Sequence, residues 1–271
     1  MTGMSDVTRI ADWVLDWLAD GGHLLLLTDY DGTLAPIVSN PDEARLPAAV
    51  HDDLQALARS PRVHFGVVSG RDLADLRRQV AISEAIYAGC YGLEIEGPGM
   101  RFVHPDAAGQ EEVLVAIGRQ LSERIPAVPG MRVEPKRFGL AVHYRHVSTD
   151  QVRSVEVEMA RAIRQDGSRL KIFHGVKVIE IQPQVGWTKG DCVLWIREAV
   201  RHESGDRLMV VYMGDDWTDE HAFEALVGQG VTIRVGDGAP ASRAAYRVPD
   251  VAAVRRLLSA LAAGACVGDG A

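Results

Sequence analysis

The chain reads as an α/β protein: a Rossmann-like, largely parallel sheet core carrying an inserted α+β module. Three observations predict this. Short apolar runs at Leu24–Leu27, Val63–Val68, Ala85–Ala88, Leu208–Met213 and Val231–Val235 suit strands buried on both faces. Helical stretches at Pro47–Ser60, Asp72–Val80, Lys189–His202, Asp219–Val227 and Val251–Leu261 separate them, and strand–helix alternation implies right-handed βαβ units. The alternation then breaks between about Gly92 and Ile181.

Ahead of the first strand, Ile10, Trp13, Val14, Trp17 and Leu18 recur at helical spacing and Gly21-Gly22 ends the pattern. An amphipathic helix with a glycine C-cap is expected there. In the middle, Leu93–Glu96, a Gly97-Pro98-Gly99 turn and Arg101–His104 form a hairpin candidate. A helix over Glu111–Ile125 follows, then strands over Met131–Glu134 and Leu140–Tyr144. A helix over Asp150–Gln165 and strands over Leu170–Phe173 and Lys177–Ile181 complete the module. Apolar residues beside charged ones (Val133, Glu134; Ile179, Glu180) suit an antiparallel sheet with one wet face. The expected division is a core of residues 1–104 and 183–271 and an inserted module of residues 105–182.

At 271 residues, with 47% hydrophobic and 24% charged, the chain can bury a substantial core without disulfides or structural metals. A formal net charge of −8 leaves no basic excess to displace counterions, which argues against nucleic acid and against an anionic membrane surface. The longest aliphatic run, Val113–Ile117, falls far short of the ~20 residues a membrane span requires. The N-terminal residues lack the basic start and apolar centre of a secretory signal. Cys90, Cys192 and Cys266 are widely spaced with no C-x-x-C pair, as suits a reducing compartment. A cytoplasmic monomer acting on a small molecule is expected.

The chemistry gathers at strand ends. Asp29-Tyr30-Asp31-Gly32-Thr33 follows the first strand directly, where ligands bind in open α/β sheets. Gly32 permits a tight turn whose amide can approach an anion; an Asp-Gly turn with incidental acids is the plainer reading. Ser69-Gly70-Arg71 ends the second strand, and Trp187-Thr188-Lys189-Gly190 opens a helix, placing an ammonium near helix N-terminal amides. Gly214-Asp215-Asp216 ends another strand, with Thr218-Asp219-Glu220 after it. Each motif is weak alone, but together they bring carboxylates, a hydroxyl and a lysine to one rim. Asp29, Asp31, Asp215 and Asp216 offer hard oxygen ligands without imidazole or thiolate, which favours Mg²⁺. Asp29 is placed as a nucleophile forming an aspartyl-phosphate. Asp31 then serves as acid and base, while Ser69 and Lys189 hold phosphoryl oxygens.

These motifs resemble the haloacid dehalogenase superfamily and, within it, the trehalose-6-phosphate phosphatases. The second resemblance rests on Ser69-Gly70-Arg71, Tyr91-Gly92-Leu93-Glu94-Ile95, Glu134-Pro135-Lys136, Ala141-Val142-His143-Tyr144-Arg145, Glu180-Ile181-Gln182-Pro183 and the run Gly214–Glu220. It implies a haloacid dehalogenase core with a cap for sugar recognition. The implied activity is Mg²⁺-dependent hydrolysis of trehalose 6-phosphate in trehalose biosynthesis. Asp29 becomes nucleophile and metal ligand, and Asp31 acid/base with its carbonyl on the metal. Asp215 becomes a metal ligand, with Asp216 and Asp219 in or behind the metal's coordination sphere. Ser69 and Lys189 take the phosphate, Gly32 and Thr33 form its loop, and Arg71 supports the site. Glu134, Lys136, Arg145, Glu180 and, with Val176 departing beside it, Lys177 match positions that contact sugar hydroxyls. Tyr91 departs from the histidine common at its position.

Plainer readings stand beside these. Glu134 and Lys136 share a strand face and suit a solvated ion pair, and Glu180 needs a donor that a neighbouring basic residue could supply. His143 and His146, three apart on a strand, point to opposite faces and do not share a metal. Trp187 fits packing better than sugar stacking. The competing substrates are other sugar phosphates, such as sucrose phosphate or a glycosyl-glycerate phosphate. A phosphotransferase or a catalytically dead sugar-binding module are the other rivals.

Overall fold

A computed structural model describes residues 6–38, 43–124, 128–165, 169–175, 177–237 and 241–265. The chain begins with α1 (Asp6–Ala19), β1 (His23–Thr28), α2 (Ala48–Arg59), β2 (Val63–Val68), α3 (Leu73–Val80) and β3 (Ile86–Gly89). It continues through β4 (Glu94–Gly97), β5 (Met100–Val103), α4 (Pro105–Ala108), α5 (Glu111–Arg124), β6 (Arg132–Lys136) and β7 (Gly139–His143). Next come α6 (Val152–Gln165), β8 (Leu170–Gly175), β9 (Val178–Pro183) and α7 (Lys189–Ser204). The last elements are β10 (Leu208–Gly214), α8 (Asp219–Ala225), β11 (Val231–Val235), β12 (Tyr246–Val248) and α9 (Val251–Ala265). Contacts divide the chain into two compact units, Met1–Phe102 with Trp187–Ala271, and Val103–Gly186.

The first unit is built on an eight-stranded sheet in the order β12-β11-β10-β1-β2-β3-β4-β5. From β12 to β3 every pairing is parallel. Along β1 the leucines alternate: Leu24 and Leu26 join the cluster of α1, α2, α3 and α9, and Leu25 and Leu27 join that of α7 and α8. All four are fully buried, each worth about 1.5–3 kcal/mol over exposure. Helices on both faces are what an unbroken apolar strand requires. β1 pairs with β2 on one side and β10 on the other. Strand order therefore reverses beside β1, and the crevice past its carboxyl end is where such sheets bind ligands.

The structure departs from expectation in places. The hairpin of β4 and β5 adds an antiparallel edge to the otherwise parallel main sheet, β4 pairing with β3. Trp13 is 47% exposed while Ile10, Ala11, Val14 and Leu18 form the buried stripe. Trp17 turns its indole N–H onto the His23 carbonyl (2.9 Å). The short α4 and β12 were not expected. Ile125, Val176 and Cys266 lie outside the described residues. Cys90 and Cys192 are buried free thiols, and no helix among the described residues is long and apolar enough to cross a membrane.

The second unit holds a four-stranded sheet in the order β6-β7-β9-β8, antiparallel throughout. Val133, Leu140, Val142, Ile179 and Ile181 pack with α5 and α6 on one face. Period-two alternation places their neighbours on the other face, where Glu134, Ala141, Glu180 and Phe173 align in register across the four strands.

Candidate active site

Asp29 directly follows β1, and Asp215 directly follows β10, so parallel pairing of these strands brings the two carboxylates together. Two glycines make the room. Gly32 sits at φ +82°, and a Cβ there would run into the Asp215 carboxylate. A Cβ at Gly214 would likewise overlap the Asp219 carboxylate. Gly32 is thus needed twice, for the left-handed turn and for the space above its Cα.

Lys189 enters from the N-terminus of α7. Thr188 and Asp191 close a capping box there, with the Thr188 N–H donating to Asp191 Oδ2 (2.8 Å), which fixes the helix start. Lys189 is 2% exposed, and its Nζ donates to Asp29 Oδ1 (2.8 Å) and Asp219 Oδ1 (2.7 Å). Burial alone would lower its pKa, but the Asp219 and Asp29 carboxylates raise it above the usual lysine range. Ser69, at the end of β2, is buried and accepts the Arg71 N–H at Oγ (3.2 Å). Thr33 is buried with its hydroxyl unpartnered.

Carboxylate ligand atoms of Asp29, Asp215 and Asp219 lie within 4.8 Å of one another. Burial raises the Asp29 pKa well above the ordinary value; Lys189 opposes this, and Asp219, Asp216 and Asp215 add to it. Asp215 is pushed up to about 7 by burial and by Asp219 and Asp216. Such a cluster carries more negative charge than one lysine neutralises, and its donors are all oxygen. A hard divalent cation fits this set. Asp219 is the least available of the three. Its Oδ1 accepts from Lys189 and from the Tyr212 hydroxyl (2.6 Å), and its Oδ2 from the N–H groups of Asp215 and Asp216 (both 3.0 Å). It therefore braces the loop that presents Asp215.

Asp216 is not one of these three. Its Oδ1 accepts from the Thr218 N–H (2.8 Å), the Thr218 hydroxyl (2.6 Å) and the Asp219 N–H (3.3 Å), so that oxygen serves the start of α8. Asp31 is gripped by Arg71, whose Nε and Nη2 donate to its two oxygens (both 2.7 Å). Arg71 is 7% exposed; it also donates to Asp75 (2.8 Å) and lies over the Tyr30 ring at 5.0 Å. Neither Tyr212 nor Asp75 stood out in the sequence. Tyr212 sits within an apolar strand run, and the only trace of Asp75 was its i+4 spacing from Arg71. Trp187 stacks on Phe102, ring centres 4.9 Å apart.

In the second unit, Glu134, Lys136 and Glu180 share the polar sheet face. Lys136 Nζ meets Glu180 Oε1 at 3.0 Å, and Gln182 donates to Glu180 Oε2 at 3.0 Å. His143 Nε2 lies 2.8 Å from Glu134 Oε2, a pairing the sequence reading passed over. Burial pushes the Glu134 pKa up, but the His143 hydrogen bond and the Lys136 charge outweigh it and bring it to about 2. Arg145 and Lys177 lie outside this network at strand ends, both exposed, Lys177 over the Tyr144 ring at 5.7 Å.

A family model described as trehalose-phosphatase matches residues 27–252. The chain belongs to the trehalose-phosphatase family. A trehalose-phosphate phosphatase of Mycobacterium avium (strain 104) is 39% identical over 262 residues, which cover 93% of this chain. The chain spans just under two thirds, 66%, of that relative's length. A solved structure described as a trehalose-6-phosphate phosphatase related protein is 26% identical, with TM-score 0.75, over 88% of this chain and 97% of the other. The C-terminal domain of Candida albicans trehalose-6-phosphate phosphatase, 23% identical, overlays at TM-score 0.72 over 93% of this chain and 96% of that one. At that identity the second structure speaks for the fold alone. The trehalose-phosphatase chain thus has the haloacid dehalogenase fold.

Proposed function

We propose that this chain hydrolyses trehalose 6-phosphate to trehalose and phosphate, with Mg²⁺ as the cation and a phosphoryl group carried transiently on Asp29. The observation that carries this reading is the Asp29 carboxylate at the end of β1, bonded to buried Lys189 and within 4.8 Å of Asp215 and Asp219. Asp29 and Asp215, with the Asp31 carbonyl, would hold the cation. When bound, Mg²⁺ offsets the carboxylate charge and polarises the phosphoryl group.

An Asp29 oxygen attacks phosphorus and the bond to the sugar oxygen breaks. Asp31 gives that oxygen a proton, which requires one of its oxygens to be protonated and released by Arg71 while the other stays bonded and keeps the carboxyl oriented. Asp31 then takes a proton from water as the water attacks the phosphoryl group, which returns Asp29 as a carboxylate and frees phosphate. Lys189 and Ser69 bind phosphoryl oxygens throughout. Lys189 must loosen from Asp29 as that carboxylate acquires its new bond. Phosphate monoesters hydrolyse so slowly unaided that positioned charge must supply most of the acceleration.

The polar sheet face of the second unit carries the groups suited to sugar hydroxyls: Glu134, Lys136 and Glu180 as paired donors and acceptors, with Arg145 and Lys177 at its margins. Recognition would fall to residues 105–182 and phosphoryl chemistry to residues 1–104 and 183–271. The buried free thiols of Cys90 and Cys192 support a reducing compartment, the cytoplasm, where a single chain acts on a small substrate.

The test is phosphate release from a panel with and without Mg²⁺: trehalose 6-phosphate, sucrose phosphate, glycosyl-glycerate phosphate and p-nitrophenyl phosphate. Preference for trehalose 6-phosphate is expected. Equal rates on all sugars would overturn the substrate, and no release from any would overturn the phosphatase.

A further inference from the structure

We infer that Tyr91 is a positioning residue for the phosphoryl site: its ring, and the left-handed turn that carries it, hold the Ser69–Arg71 loop in place. This rests on the proposed binding of phosphate by Ser69 and Lys189.

The chain leaves β3 through Cys90, Tyr91 and Gly92, all with positive φ, +49°, +61° and +87°. A residue with a Cβ takes such angles at a cost, and two in succession persist only where the surroundings demand it. The demand is visible in the backbone. The Tyr91 N–H donates to the Ser69 carbonyl and the Cys90 N–H to the Arg71 carbonyl, both at 2.8 Å. The Ser69 N–H in turn donates to the Ala88 carbonyl in β3 (2.9 Å). Both ends of the Ser69–Arg71 loop are thereby tied to β3 and the turn after it. Between them, the Tyr91 ring occupies the place of a side chain on Gly70: a Cβ there would lie 2.5 Å from Cζ and 2.6 Å from Oη.

The turn also meets α7. A Cβ on Gly92 would run into Cys192, in the first turn of the helix that begins with Lys189. The Cys90–Gly92 turn therefore packs between the loop that carries Ser69 and the helix start that carries Lys189, and its shape sets the spacing of the two groups. Arg71, whose fork holds Asp31, belongs to the same loop. Without the ring, Gly70 regains the backbone freedom that glycine alone has, and Ser69 loses its fixed place. A misplacement of about 1 Å in such a site is enough to cost up to about 100-fold.

The experiment is calorimetric titration of the full chain, in Mg²⁺, with inorganic phosphate, beside turnover of trehalose 6-phosphate and p-nitrophenyl phosphate. Y91A should weaken phosphate binding by about tenfold and slow both substrates by a similar factor, since both present the same phosphoryl group. Y91F keeps the ring and should rescue phosphate binding. Y91G relaxes the backbone at φ +61° and should melt no lower than Y91A, yet bind phosphate as weakly; it serves alone should Y91A fold poorly. A role confined to folding would instead return function along with stability. In an S69A background the Y91A change should cost less than about twofold, because the serine through which it acts is gone. Phosphate binding unchanged in Y91A, binding regained in Y91G, or losses that multiply in S69A/Y91A would overturn the inference; with a wild type that still prefers trehalose 6-phosphate, the phosphatase reading would stand. A wild type that turns over neither substrate but binds phosphate, and binds it weakly in Y91A, would uphold the place of Tyr91 and count against the phosphatase. A wild type that binds no phosphate would overturn both.

Discussion

Replacing Lys189 with methionine keeps most of the side-chain volume and removes one charge. The structure sets the size of the effect. The ammonium is buried and bonded to two carboxylates, Asp29 and Asp219, themselves almost wholly buried. Removing one partner of a buried ion pair costs about 3–5 kcal/mol, because the other charge is left uncompensated. For a chain of this size that lowers the melting temperature by roughly 6–20 °C. The stranded acids escape by protonation, since burial, with the Asp216 charge, already raises both pKa values. A carboxyl whose folded pKa lies above its unfolded value binds more protons when folded, so stability falls as pH rises from about 4 through the folded pKa. Acidification from about pH 7 to about pH 5 should therefore narrow the gap between K189M and wild type. Urea unfolding followed by circular dichroism at both pH values reads this directly. A loss below about 1 kcal/mol at the higher pH, or a gap that widens on acidification, would refute the reasoning.

Three further outcomes are expected. G32A places a Cβ at φ +82° against the Asp215 carboxylate; it should cost roughly 1–2 kcal/mol in stability and at least about tenfold in turnover, and unchanged turnover would free Asp215 from its assigned place. R71K replaces the two-bond grip on Asp31 with a point charge; turnover of a sugar phosphate should fall about tenfold or more, while p-nitrophenyl phosphate, whose leaving group needs no proton, should lose less. Equal losses would remove Arg71 from the positioning of Asp31. E134Q should lower stability near neutral pH by about 1–2 kcal/mol, the linkage value of roughly 3 kcal/mol reduced for a side chain 31% exposed. Because the folded pKa, about 2, lies below the ordinary 4.5, this contribution is complete above the unfolded pKa and fades as pH falls through the folded one. Urea titrations of variant and wild type should converge in acid, and a gap independent of pH would contradict the assignment.

Much of the first unit was legible because its signals are local. β1 is four leucines in succession, and only a strand buried on both faces calls for that. Asp29 and Asp31 follow it at once, and the capping chemistry of Thr188 announces where Lys189 begins its helix. What escaped depends on long-range pairing. β12 has three residues, too few to show a period, and holds its place by pairing with β11. Asp216 and Asp219 are both acids near one helix start, and only the backbone path shows that Asp219 braces the loop while Asp216 caps. His143 met Glu134 through strand register, invisible at a separation of nine residues.

Asp29 is proposed to take the phosphoryl group. Borohydride reduction of the chain quenched during turnover of trehalose 6-phosphate tests it most directly, since an acyl phosphate is reduced to an alcohol. Peptide mass spectrometry should find homoserine at position 29 and nowhere else, and none in D29N. Homoserine at Asp31 or Asp215, or steady phosphate release with no reduced residue, would contradict the account.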